Sequence, residues 1–214
     1  MVRSGPGRPK RDARTPDHAE LMRKGIQAFA ELGYEAVSVR ELNNLLGMGH
    51  TFIHDRYGSK DAFWRTVVAH ECRTLAAELA SALDPAPDDD LDWLVAAIRA
   101  FHRVSAQHPH LNRVIDYEAA RESERLDHLF TLIEPLDRSA RTVFERLVAA
   151  GRIRDVPWHV FHFAVTKPTL LYGQAPWARR FGHPDNTADS GSVAEVILHG
   201  LLTGKMPDNL RSSP

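Results

Sequence analysis

Apolar positions recur at helical spacing along most of the chain. Met22, Ile26 and Phe29, with Leu21, Ala28 and Leu32 beside them, form one face of a first helix. Thr15-Pro16-Asp17 introduces that helix and Gly33 ends it. Ser38 followed by Glu41 is a capping box for a short second helix, whose inner positions are Val39, Leu42 and Leu46. Gly47 breaks it, and a third short helix is expected over 49–57, with Phe52, Ile53 and Tyr57 apolar. A long helix over 59–83 carries Trp64, Val68, Leu75 and Leu79 along one side. The Pro- and Asp-rich stretch 84–90 is a loop, with Asp90 placed to cap a helix over 91–105. His108-Pro109-His110 reads as a turn, followed by helices over 111–121 and 124–150, the second expected to kink at Pro135. A segment over 157–181 is interrupted by Pro168, Gly173 and Pro176, and a last helix over 189–202 carries Val193, Val196, Ile197 and Leu201. No strand-like alternation and no internal repeat occur, so the expected class is all-α.

Composition adds limits. At 214 residues, 43% hydrophobic and 26% charged, the chain can bury a sizeable core without staples. Its one cysteine, Cys72, excludes an intramolecular disulfide. The N-terminal stretch has no apolar core of the kind a signal peptide needs, and no apolar run is long enough to span a membrane, so a cytoplasmic location without membrane partners is expected. The net charge of −1 suggests no anionic partner until it is divided. Residues 1–65 carry 11 Lys/Arg and 8 Asp/Glu, whereas the remainder carries 16 and 20. Residues 1–15 are too polar and Gly/Pro-rich to fold alone and read as a disordered basic arm, with Arg8, Lys10 and Arg11 suited to a DNA minor groove.

Three short helices with a Gly-containing tight turn make a helix-turn-helix. Here the residues carry a resemblance. Leu32-Gly33-Tyr34, Ser38-Val39-Arg40-Glu41-Leu42, Leu46-Gly47-Met48-Gly49 and Ile53-His54-Asp55-Arg56-Tyr57-Gly58-Ser59-Lys60-Asp61-Ala62-Phe63 follow, without a gap, the pattern of the DNA-binding domain of the tetracycline-repressor (TetR) family. The chain departs from the pattern at Asn43, where a small residue is usual, and at Gly49, which replaces a Ser or Thr cap. His54 and Asp55 also depart from it, so the family's operator preferences do not carry over. The resemblance implies a helix-turn-helix DNA-binding domain over 16–63 and a helical ligand-binding and dimerisation domain over 64–205. Helix 59–83 would join them, and 206–214 would be a flexible tail.

In that reading His50, Thr51 and Asp55 meet base edges in the major groove, and Ser38, Arg40, His54 and Lys60 meet phosphates. Gly49 and Tyr57 belong to the same DNA-binding set. The segments 157–181 and 189–202 correspond to the family's dimer interface, and a symmetric pair would read a palindromic operator. Ligand candidates, each pairing an apolar body with a polar tip, are Trp93, His102, Tyr117, His162, Tyr172 and Trp177. The implied function is a transcriptional regulator, a repressor released from its double-stranded operator by a small-molecule effector. The alternative is an architectural DNA-binding protein with no functional pocket. His108 with His110, and His159 with His162, lack a third ligand marked by spacing, so no metal is expected. No nucleophile elbow, phosphate-binding loop or dinucleotide fingerprint occurs, so neither catalysis nor a cofactor is expected.

Overall fold

The computed structural model describes residues 17–169, 174–182 and 190–202. Among these, every regular element is helical: α1 His18–Leu32, α2 Val39–Leu45, α3 Phe52–Tyr57, α4 Lys60–Ala82, α5 Asp90–Ser105, α6 Pro109–Glu118, α7 Glu124–Ala149, α8 Trp158–Thr166, a 3₁₀ turn Lys167–Thr169, α9 Ala175–Arg180 and α10 Ser190–Leu202. The expected fold class is the observed one. None of these helices is long and apolar enough to cross a membrane.

Boundaries differ from the sequence reading where side-chain chemistry decided them. The third helix starts at Phe52, with Thr51 as its N-cap, so Gly49 is not the cap expected of it. Asp89, not Asp90, caps α5: its carboxylate accepts from the backbone N–H of Leu91 and Asp92 at 2.9 and 3.1 Å. Asp90 instead pairs with Arg146 at the far end of α7. Pro109 opens α6 rather than sitting in a turn, in the first-turn position where a missing N–H costs nothing. α7 continues through Pro135 as one helix. The 157–181 segment divides into α8, the 3₁₀ turn and α9.

α1 crosses α4 closely because Gly25 lies at the contact. A Cβ there would meet the Val67 side chain at 2.7 Å and Phe63 at 3.0 Å. The first core gathers Met22, Ile26, Phe29, Leu42, Ile53, Phe63 and Trp64, and it does not close at the end of the head. It continues through Val67, Val68 and Cys72 on α4 to Leu111 and Val114 on α6 and Leu129 on α7. α6 lies directly on α1. A second core joins Leu94 and Ile98 of α5 to Phe144 and Leu147 of α7, Phe161 of α8, and Ala194 and Leu198 of α10.

Candidate nucleic-acid interface and ligand cavity

The head presents α3 by burying its other face. Ile53 is fully buried, while His50, Thr51, His54 and Asp55 are exposed. What fixes the crossing of α2 and α3 is Asn43, itself completely buried. Its Nδ2 donates to the His50 carbonyl at 2.6 Å, and its Oδ1 accepts from the Ile53 N–H at 3.2 Å. Its own carbonyl accepts from the Met48 N–H at 2.8 Å. Gly47, at φ 71°, makes the turn between the helices in the left-handed region that glycine enters without a steric cost. One buried amide thus satisfies backbone groups on both sides of the turn and holds His50, Thr51, His54 and Asp55 in register.

The remaining expected DNA contacts fall into two groups. Arg40 and Gly49 are exposed. Ser38 is exposed too, but its hydroxyl accepts from the Glu41 N–H at 3.2 Å while its backbone N–H donates to the Glu41 carboxylate at 2.8 Å, which completes the capping box. His54 Nδ1 donates to the Gly58 carbonyl at 3.1 Å, leaving Nε2 for an outside partner. Lys60 is corrected in part. Its ammonium donates to the carbonyls of Tyr34 and Val37 at 2.9 and 3.0 Å and lies 4.3 Å from the Tyr34 ring centre, so it braces the α1–α2 loop rather than standing open to phosphate. Tyr57 is corrected as well. Its ring packs 4.9 Å from that of Phe63, and its hydroxyl is buried without a partner. Arg56, exposed beside it, is a cation the sequence reading did not single out. Arg8, Lys10 and Arg11 lie outside the described residues.

The body encloses a partly open cavity of about 350 Å³ between α4, α5, α6, α7 and α8. Such a volume suits a small organic molecule. Its walls are mostly aliphatic and aromatic, with the polar groups Ser105, Asn112, Asp116, Asp137, His162 and Lys167 set among them. Asp116 Oδ1 accepts from Lys167 Nζ at 3.0 Å, and Asp137 Oδ1 accepts from His162 Nδ1 at 2.7 Å. Cys72 also lines it, and burial pushes its thiol up to about 12, which keeps it an unreactive apolar wall.

Two of the six expected ligand residues, Trp93 and His162, line this cavity. Tyr172 lies outside the described residues. Three are corrected. His102 is completely buried but not in the wall. Its ring nitrogens are buried without a hydrogen-bond partner, and burial lowers its pKa to about 4. Tyr117 faces the head, 3.6 Å from where a Cβ on Gly33 would sit. Trp177 is 60% exposed and meets the Phe181 ring edge to face at the outer surface. Asp116, Lys167 and Ser105 were missed because nothing local marks them. They meet only when α5, α6 and the 3₁₀ turn come together.

One member of each His pair considered for metal has another partner: His108 Nε2 donates to Glu78 at 2.9 Å, and His162 is held by Asp137. Among the described residues no three His, Cys, Asp or Glu side chains converge on a metal-holding point.

No protein-family model matches the sequence, and no curated protein does. Solved structures do match. The ketosteroid transcriptional regulator KstR2 of Mycobacterium tuberculosis superposes with a TM-score of 0.68 at 17% identity, over 91% of this chain and 97% of that one. A regulatory protein of the TetR family from Rhodococcus RHA1 gives 0.65 at 21% identity, over 85% and 94%. The TetR-family regulator PfmR of Thermus thermophilus gives 0.61 at 19% identity, over 90% and 99%. The chain has the fold of these regulators.

Proposed function

We propose that the chain is a sequence-specific DNA-binding transcriptional regulator of the TetR family, acting as a homodimer and released from a palindromic operator by a small molecule. The observation that carries this reading is the exposed row His50, Thr51, His54 and Asp55 on α3 and the turn before it, held from behind by the buried Asn43. A helix with one face locked into a core and the other lined by hydrogen-bonding side chains is what major-groove reading needs. His50, Thr51 and Asp55 read base edges in this proposal, while Arg40 and His54 meet phosphates. The arm with Arg8, Lys10 and Arg11 adds minor-groove contacts.

Effector control is supported by the cavity, which disfavours the architectural alternative, and by α6, which both lines the cavity and lies on α1. Dimerisation is supported by exposed apolar side chains on or beside the last three helices: Phe163, Trp177, Phe181 and Val196 are each more than half exposed. α10 serves two purposes in this reading, since it buries Ala194 and Leu198 against its own body while Val196 points out.

Selection of bound sequences from a random double-stranded DNA pool, using the full chain, tests the proposal. An inverted repeat with half-sites about 10 base pairs apart is expected to be enriched. A His50→Ala or Thr51→Ala change should then alter which bases are preferred. Recovery of no motif, with equal affinity for every sequence, would overturn sequence-specific reading.

A further inference from the structure

We infer that the cavity takes an apolar molecule bearing a hydrogen-bond donor, a hydroxyl or an amine, and discriminates against carboxylates. This rests on the regulator reading for its biological sense, but on the cavity alone for its chemistry. The apolar walls account for most of the surface a ligand would meet, so orientation falls to the few polar atoms. Two of those atoms are buried without a hydrogen-bond partner. Ser105 is 1% exposed, and its Oγ has no partner. Asp116 Oδ2 is buried and has no partner, while Oδ1 of the same carboxylate takes Lys167. Asn112 and Asp116, four residues apart, share a face of α6, and Asn112 Nδ2 is itself committed to the Ser105 carbonyl at 2.8 Å. The unpartnered groups are therefore an acceptor and a hydroxyl. Buried polar atoms are normally satisfied, so an unpaired carboxylate oxygen in a cavity wall marks where a donor belongs.

Charge points the same way. Among the described lining residues there are two carboxylates, Asp116 and Asp137, and one ammonium, Lys167. Lys167 and the His162 imidazole are each already bonded to one of those carboxylates. A carboxylate ligand would shed its water and have to share the Lys167 ammonium with Asp116, whereas an ammonium or hydroxyl would find the unpartnered Asp116 oxygen. The aromatic walls Trp93, Phe101, Trp158 and Phe163 add ring faces that also favour a cation.

The test uses three probes sharing one straight alkyl chain: decanol, decylamine and decanoate. Each is titrated calorimetrically into the purified full-length protein at neutral pH, without DNA. Decanol and decylamine are expected to bind, with decanoate weaker by about tenfold or more, the worth of one hydrogen bond to a charged group. Asp116→Asn removes the acceptor charge and releases Lys167 from its partner. Decylamine should then lose about tenfold and decanoate should gain. Lys167→Met should do the opposite, widening the preference for the amine, and it serves independently if the first variant does not fold. Equal or tighter binding of decanoate to the unaltered protein, no binding of any probe, or an unchanged ranking in both variants overturns the inference. Because no DNA is present, such a failure leaves the regulator reading intact. A DNA selection without a motif would likewise leave the cavity result standing.

Discussion

His102 and Asn43 are both fully buried polar side chains, and they meet that circumstance in opposite ways. Asn43 satisfies its amide on both sides of the turn, whereas His102 has no partner and stays neutral because burial holds its pKa near 4. In the unfolded chain a histidine titrates near 6.5, so between these values the unfolded state binds the extra proton. His102 therefore costs nothing above the higher value and removes stability as pH falls toward the lower one. His108 opposes it: hydrogen bonding to Glu71 and Glu78 raises its pKa, so its contribution is present at low pH and fades as pH rises. Comparing the native protein with His102→Leu isolates the first effect. Urea unfolding at pH 5 should favour the variant by about 2 kcal/mol more than at pH 7.5. Equal pH slopes would show that His102 finds a partner. Asn43→Ala should cost about 1–3 kcal/mol by orphaning the Ile53 N–H and the His50 carbonyl. Operator affinity should fall with it, measured by anisotropy under conditions where the head remains folded.

Between elements, the closest approach is that of α1 to α4 at Gly25. Gly25→Ala gains helix propensity but forces a methyl against Val67 and Phe63, both fully buried. The clash should win, for a net loss of about 1–3 kcal/mol in denaturant unfolding. Nothing in the apolar pattern reveals this, because a helix face looks the same whether its neighbour is near or far. What the pattern does reveal are helices long enough to repeat. α1, α4, α5, α7 and α10 all lie within a few residues of the expected spans, and the Ser38 capping box forms as the spacing requires. The start of α3 is less legible: the pattern places the cap at Gly49, whereas Thr51 takes it and Asn43 Oδ1 accepts the Ile53 N–H of the first turn. The cavity was the least legible. Trp93 and His162 were chosen for an amphipathic type that Trp177 and Tyr117 share equally, and only packing separates inside from outside.

Over the whole molecule, Arg125 ties the reading head to the body. Its guanidinium donates to Glu35 at 2.7 Å, to Glu118 at 3.1 Å, and stacks 3.9 Å over the Tyr34 ring, against which the Lys60 ammonium also lies. Glu118 ends α6, two residues beyond the cavity residue Asp116, so this clasp joins the cavity wall to the α1–α2 loop. Arg125→Met would leave the Glu118 carboxylate buried and unpaired, at a cost of about 3 kcal/mol. Adding Glu118→Gln should return much of that loss. A double-mutant cycle with no coupling between the two positions would remove the clasp from the account.

The first core crosses from α1 through α4 into α6 and α7, and this limits how freely the parts can be exchanged. A head cut away at residue 63 would carry Met22, Ile26 and Phe29 without Leu111, Val114 and Leu129 to cover that core. Grafting α1–α3 onto another chain of this fold would then succeed only where the host's sixth helix presents the same apolar shape. Under the proposed DNA-binding reading, a new operator preference should arise by changes on the outer face of α3, not by replacement of α1–α3.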